Sequence, residues 1–420
     1  MKLTTDQKQL IASFNKPDTH LVISHWPHNG AEYDGVAPYT KDIVTRFTSA
    51  YGARYVVLAE MIKGADIVEE VQDGVLVIRA FDEKRMHLYP QILIWLSYFS
   101  NIKKVYVHSE FCASGGPMLR FLVFPFLVLI KLTQKEITFY AHNVVKSFVG
   151  YEKHLGYKEN GLESRLLSLG FKLYFRFLST VVSRFVVLEK SVGNRLRTLV
   201  GKREILVEPH WIELAKPKLN HKEAKKMLGF SDDIRLVVVF GFVTYYKGAD
   251  FIADYAKWLN EIGKTNTRIV LAGGMASSLK KKEYYQDYYK TIEGQALENP
   301  LLTLTGFLTE DEVEMWLTAA DLIVFPYRNL MGGSGALQQA LRYSKPVLLS
   351  NQMADGLGVT DSEVIFIHNF NSLNQLIDRF FEDLSYKKQV TQIALDYAKN
   401  ISINELLPKH YNDVYSSDLA

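Results

Sequence analysis

Residues 235–256, RLVVVFGFVTYYKGADFIADYA, decide the fold. Residues 236–240 are an unbroken apolar run, rich in valine and of the length of a strand buried on both faces. Gly241 ends the run, a loop follows, and Lys247 and Gly248 open a segment of helical period. Strand, loop and helix in succession form the unit from which parallel sheets are built. Downstream the unit recurs, with strand-like runs at 267–274, 301–307, 322–327 and 346–351. Upstream, similar runs lie at 20–26, 54–60, 74–80, 103–109, 136–142, 183–191 and 204–210. The class is therefore α/β. A chain of 420 residues exceeds what one core holds, about 250–300 residues, so two domains are expected. The charged, poorly periodic stretch at 212–230 divides them. The expected domains are 1–212 and 213–385, with amphipathic helices at 386–420 that end in Tyr411 and Tyr415 and cross back to the first domain.

Composition narrows the partners. There are 49 basic and 46 acidic residues, a formal charge of +3, which gives no nucleic-acid footprint. Cys112 is the one cysteine, so no internal disulfide or cysteine-held zinc is expected. Residues 1–16 lack the apolar core of a secretory signal, and the expected location is cytoplasmic. Residues 118–132, MLRFLVFPFLVLIKL, are the most apolar stretch; at this length, with Arg120 and Pro125 inside, they read as a buried helix rather than a span.

In open parallel sheets ligands bind beyond the carboxyl ends of strands, so every strand-to-loop junction is a candidate site. Beyond Gly241, Thr244 and Lys247 stand where one cation and backbone N–H groups could hold a phosphate, although an exposed lysine at a helix start reads equally well. After the 322–327 run, Gly332, Gly333, Ser334 and Gly335 precede a helix; they suit a diphosphate cradle or a helix capped by Ser334. Gln339, a turn later, could reach a ribose. His142 and Asn143 follow the 136–142 run and are expected to be exposed there, as sugar ligands or as structural polar groups. His108 and Glu110 end the 103–109 run and are candidates on the acceptor side. Gly35, after the first strand, permits close backbone approach. His25, His28 and Asp34 do not make a convincing metal set, and none is expected.

Taken in order, GVAPYTKDIV, FYAHNVV, VVLEKSVGNRL, ILVEPHWIE, FGFVTYYKGADF, LTGFLTEDEVEMWLTAADLIVFPY and GSGALQQALRYSKPVLLSN resemble the retaining GT-B glycosyltransferases of the family 4 type, the glycosyl transferases group 1. The resemblance spans nearly the whole chain. It implies a GT-B fold, two Rossmann-like domains facing a central cleft, with the acceptor on the N-terminal side and a nucleotide-sugar donor on the C-terminal side. It further implies that Lys247 holds the donor diphosphate beside Gly35, that His142 contacts the donor sugar, and that the backbone at Gly306 and Phe307 packs on the base. Met331 and Gln339 stand where such enzymes commonly carry a pair of glutamates, and Phe242 where an arginine is frequent.

The implied activity is transfer of a hexose, UDP- or GDP-linked, to a glycan or lipid-linked acceptor with retention, in bacterial polysaccharide or glycolipid synthesis. The implied chemistry uses no metal or other cofactor, the nucleotide sugar being the substrate. Residues 162–185 carry apolar residues at helical spacing with Arg165, Lys172, Arg176 and Arg184 among them, which suits peripheral membrane contact or a core helix with snorkelling cations. The missing glutamates leave a second reading, a catalytically silent accessory subunit that binds a nucleotide or a partner glycosyltransferase. A nicotinamide enzyme is disfavoured, because no G-x-G-x-x-G follows the first strand of either half.

Overall fold

The computed structural model describes residues 3–28, 36–82, 87–109, 117–145, 148, 152, 158, 161–330 and 332–416. It divides into two compact units. The first comprises Met1–Lys146, Leu167–Glu208 and His410–Ala420; the second comprises Ser147–Leu166 and Pro209–Lys409.

The first unit is built on an eight-stranded sheet of order β3-β4-β2-β1-β5-β6-β7-β8. Its strands are β1 (Thr19–Ile23), β2 (Arg54–Glu60), β3 (Val68–Gln72), β4 (Val75–Phe81), β5 (Lys104–Ser109), β6 (Glu136–Ala141), β7 (Arg184–Val187) and β8 (Glu204–Val207). The helices are α1 (Thr5–Phe14), α2 (Val36–Tyr51), α3 (Leu88–Ser97), α4 (Pro117–Leu132), α5 (Leu162–Val181) and α6 (Lys190–Val200). β1, β4 and β7 are buried along their whole length, as helices on both faces of a parallel sheet require. β3 departs from the expected parallel pattern, because it pairs antiparallel with β4 through Asp73 and Gly74. Gly74 adopts a φ of 86° there, which a two-residue hairpin turn demands. Glu69, Glu70 and Val71 are exposed, so β3 has no apolar run to reveal it.

The second unit has a wholly parallel six-stranded sheet of order β11-β10-β9-β12-β13-β14. Its strands are β9 (Arg235–Phe240), β10 (Thr267–Ala272), β11 (Leu302–Leu304), β12 (Leu322–Phe325), β13 (Val347–Ser350) and β14 (Ile365–Phe366). Between and after them run α7 (His221–Met227), α8 (Ala249–Glu261), α9 (Glu283–Glu298), α10 (Glu310–Ala319), α11 (Gly335–Arg342), α12 (Asn351–Leu357), α13 (Phe370–Glu382), α14 (Leu384–Asn400) and α15 (Ile403–His410). Val237, Val239, Leu271, Leu322 and Val324 face one packed layer, with Leu236, Val238, Val270, Ile323 and Phe325 facing the other. That alternation is the two-sided burial that the valine run encodes.

The boundary read at 212 falls at Glu208 and Pro209. Glu208 N–H still donates to Val187 O, whereas Ile212 N–H donates to Ile401 O and Ile212 O accepts from Ile403, which ties residue 212 to the second unit. At the other end, Tyr411–Ser416 form a π-helical turn whose Tyr415 stacks on Tyr106 at 4.4 Å and packs edge-on against Phe47. The Tyr140 hydroxyl donates to the Tyr415 hydroxyl at 3.1 Å and pairs with His410 Nε2 at 2.9 Å. The last residues therefore belong to the first unit's core.

The apolar stretch 118–132 is helical but only half buried. Val123, Phe126, Leu127 and Ile130 are buried, while Leu122, Leu129 and Leu132 are exposed. Among the described residues no helix is long and apolar enough to cross a membrane.

Candidate functional site

In the second unit the chain leaves β9 toward β10 on one side and returns through β12 on the other, so the loops after β9 and β12 diverge at a topological switch point. Crevices form at such points because the two loops leave in opposite directions. The loop after β9 is Gly241–Thr244, closed by the 3-10 turn Tyr245–Lys247; the loop after β12 leads through Pro326 and Tyr327 to Ser334 and α11.

Two glycines fix how closely these loops approach. Gly248 has a φ of 76°, and a Cβ there would lie 2.2 Å from Pro326 O, so only glycine allows the β9 turn to press on the end of β12. A Cβ on Gly241 (φ 118°) would lie 3.0 Å from Lys247 Nζ and 3.2 Å from Ala336 Cβ. The lysine ammonium and the first turn of α11 thus both lie against Gly241. Gly273, Gly274 and Phe307 continue the set: a Cβ on Gly273 would strike Gly241 O, and one on Gly274 would strike Phe307 N. Gly306 takes a φ of 75°, and Phe307 projects its ring into solvent at 66% exposure.

Three rings surround the Lys247 ammonium, with centroids at 5.6 Å (Phe242), 5.9 Å (Tyr246) and 5.7 Å (Tyr327). That is cation–π range. Burial alone would lower the pKa of this lysine, but the phenols of Tyr246 and Tyr327, with a hydrogen bond to Tyr327, raise it above the ordinary value. Lys247 is thereby held in its charged form at neutral pH. The Tyr327 hydroxyl lies 3.4 Å from Ser334 Oγ, which accepts from Leu337 N–H and so caps α11. Capping and anion binding coexist here, because the side chain satisfies one of several N-terminal donors. Thr244 is buried, and its hydroxyl has no hydrogen-bond partner among the described residues. A buried hydroxyl without a partner costs about 1–3 kcal/mol, so such groups call for a ligand or another explanation. Gly333 and Gly335 are exposed beside it and Gln339 is half-buried one turn along α11. Gly241, Thr244, Lys247, Gly306, Phe307, Gly333, Ser334, Gly335 and Gln339 thus all occupy the carboxyl edge of one sheet or the helix that follows it. Gly35, Glu110 and Met331 lie outside the described residues.

Sequence reasoning missed the groups that hold this loop. Arg328 clasps Asp250 through both guanidinium nitrogens, at 2.7 and 2.8 Å. Tyr285 donates to Val243 O at 2.6 Å. The available signals were a charged residue directly after a strand end and the tyrosine pairs 284–285 and 288–289.

The first unit also has a switch point, between β1 and β5. The expectation that His142 would be exposed there is not met: His142 and His108 are each only 6% exposed. Rings cover them. Tyr39 stands edge-on to His142 at 5.3 Å, and His108 stacks on Tyr140 at 4.0 Å. His108 Nδ1 lies 3.4 Å from Thr40 Oγ1, and burial, with His142 and His410 nearby, keeps this imidazole neutral, well below its usual pKa. Asn143 is half-buried. Beyond β1 and β2, Glu60 accepts from Trp26 N–H and lies near His25 and Arg79; burial raises its pKa despite those neighbours. After β7, Glu189 is pushed by burial to about 8. Among the described residues no three histidine, cysteine, aspartate or glutamate side chains converge as a metal set.

Residues 234–383 match the family model described as glycosyl transferases group 1. No protein of curated function matches the chain by sequence. Solved structures match its fold throughout. Sucrose-phosphate synthase from Thermosynechococcus elongatus superposes with a TM-score of 0.71 at 14% identity, covering 96% of this chain and 100% of that one. The Anabaena protein HepE, solved in complex with UDP, gives 0.66 at 12% identity over 95% of this chain and all of its own. A glycosyltransferase from Rickettsia africae gives 0.66 at 14% identity, with 96% and 98% covered. The fold is GT-B.

Proposed function

We propose that the chain, whose residues 234–383 match the group 1 glycosyltransferase model within a GT-B fold, is a glycosyltransferase that moves a hexose from a nucleoside-diphosphate sugar to a glycan or lipid-linked acceptor with retention at the anomeric carbon. The observation that carries this reading is the Lys247 ammonium, charged, caged by rings and set against Gly241, which the first turn of α11 also approaches. Such a place suits a diphosphate: one fixed cation, the N-terminal donors of α11, the Thr244 hydroxyl and glycine-lined backbone that lets phosphate oxygens come close. Phe307 offers an exposed ring edge for a base, and Gln339 an amide for a ribose. One fold relative, the Anabaena protein HepE, was solved with UDP and with UDP-glucose, and another with UDP-2-fluoro glucose, so the UDP-linked donor ranks first and the GDP-linked donor second.

In the step we propose, the bond between the anomeric carbon and the diphosphate oxygen breaks while the acceptor oxygen closes on the same face. The acceptor proton passes to the departing phosphate oxygen. Lys247 and the α11 donors are in place before charge develops on that oxygen, so they need no reorganisation during the reaction. No carboxylate nucleophile is called for, and no metal ligand set is assigned.

The acceptor reading rests on the exposed faces of α4 and α5. α5 exposes Leu162, Leu166, Leu169, Leu173 and Phe177, each between 44% and 68% exposed and three or four residues apart. Arg165, Lys172 and Arg176 flank this stripe, and the Phe124 and Phe177 rings, 5.6 Å apart, set α4 with its exposed Leu122, Leu129 and Leu132 alongside. An apolar face rimmed by cations suits the surface of an anionic bilayer. Incubation with UDP-glucose, other UDP-hexoses and GDP-mannose, in the presence of anionic vesicles carrying extracted polyprenyl-linked sugars, tests the reading by release of nucleotide and by the anomeric proton coupling of the product. Product with the donor's anomeric configuration supports it. Nucleotide binding without turnover of any donor sinks it in favour of the silent accessory subunit.

A further inference from the structure

We infer that Arg328, through Asp250 and the phenols of Tyr288 and Tyr285, positions Lys247 for the donor diphosphate, an inference that rests on the diphosphate reading of Lys247 given above. The turn that bears Lys247 is three residues long and holds itself by little. Lys247 N–H donates to Thr244 O at 3.2 Å and Gly248 N–H to Tyr245 O at 3.0 Å. A turn this short, next to solvent, would fray without outside support.

That support comes from three neighbouring elements. From the β12 loop, Arg328 Nη1 donates to Tyr245 O at 2.6 Å and Arg328 N–H to Tyr246 O at 2.8 Å, while the guanidinium lies 4.1 Å from the centre of the Tyr245 ring. Both carbonyls immediately before Lys247 are thereby tied to one residue. From α8, Asp250 receives the two-pronged guanidinium contact and fixes the plane in which Arg328 lies. From α9, the Tyr288 hydroxyl donates to Asp250 Oδ1 at 2.9 Å and accepts from Asp250 N–H at 3.1 Å. One residue pair earlier on α9, Tyr285 donates to Val243 O and accepts from Ala276 N–H at 2.7 Å, which holds the start of the same loop. The supports thus meet the loop on both sides of Lys247.

Charge assigns the roles of the two cations. Asp250 neutralises Arg328, and its bond and charge hold the guanidinium pKa above the ordinary value although burial acts against it. This second cation acts on the protein; Lys247, facing phenols and no carboxylate in its immediate cage, acts on the ligand. A lysine at 328 would keep the charge but could not serve two carbonyls and two carboxylate oxygens in one plane.

A double-mutant cycle read by calorimetric titration with UDP up to millimolar concentration tests the inference. Arg328→Lys is expected to weaken UDP binding about tenfold and Tyr288→Phe about threefold, and neither should weaken it further in the Lys247→Ala background. Tyr288→Phe keeps the ring packing and removes only the hydroxyl, so the test stands even if Arg328→Lys does not fold. Losses that persist undiminished in the Lys247→Ala background would overturn the inference, because the clamp would then act on the fold or on the ligand itself. Single variants with unchanged affinity would overturn it too. If Lys247→Ala alone leaves UDP affinity unchanged, the diphosphate reading fails, and the clamp falls with it.

Discussion

The two units place opposite chemistry at equivalent points of similar sheets. At the β9/β12 switch point the second unit holds a cation in a cage of rings, beside glycines and a buried threonine hydroxyl that lacks a partner among the described residues. At the β1/β5 switch point the first unit holds His108, kept neutral by burial, with His142 nearby, both packed against tyrosines. The same parallel sheet can thus offer an anion site or a neutral polar site, depending on what the loops deliver and how deeply they bury it. A charged diphosphate belongs with the first kind and uncharged hydroxyls with the second.

The largest effect should come from closing the space that the cation site needs. Gly248→Ala puts a methyl 2.2 Å from Pro326 O at a φ of 76°, and we expect a loss of about 3 kcal/mol, read as a lower melting temperature of the second unit in calorimetry. Acid should weaken the first unit next. His20 titrates near 4 and His108 well below the usual value, because burial disfavours their charged forms. Their folded pKa values lie below the unfolded 6.5, so the unfolded chain binds more protons between about 6.5 and 4. Stability is then full above 6.5 and falls as pH drops through that window, by about 1.4 kcal/mol per pH unit for each group. Glu60 and Glu189, both raised by burial, act in the opposite direction. Urea melts at pH 7 and pH 5 check this, and His20→Phe should flatten the slope.

Smaller effects sharpen the contrast. Thr244→Val removes a hydroxyl that has no partner among the described residues, so the melting temperature should hold or rise while UDP affinity falls roughly two- to tenfold. Phe242→Arg, which adds a second cation beside Lys247, should raise UDP affinity about threefold at low salt and less at high salt, as titrations at two ionic strengths would reveal.

Much of this was legible in the sequence, and what was not has physical causes. The valine runs declared both sheets because strands buried on two faces leave no room for polar residues. β3 escaped because an exposed edge strand carries Glu69 and Glu70 instead; its one signal was the Asp73–Gly74 turn. That Gly241, Thr244, Lys247 and Ser334 gather at one sheet edge was legible because each follows a strand end, whereas what they bind was not, since lysine and glycine at a helix start have a structural use as well. The burial of His142 was not, since Tyr39 and Tyr140, which cover it, come from another helix and from its own strand. Arg328 and Asp250 are 78 residues apart and announce nothing until the fold joins them.

The measurement that tests the central claim most directly is calorimetric titration of UDP into the intact chain, into Lys247→Ala and into His142→Gln. Loss of one charge-assisted contact of about 1.5–3 kcal/mol should weaken UDP binding by roughly 10- to 150-fold in Lys247→Ala, while His142→Gln, altered at the neutral site, should bind UDP as the unaltered chain does. Equal affinity in the unaltered chain and Lys247→Ala, or a loss confined to His142→Gln, would contradict the assignment of the cation site to the diphosphate.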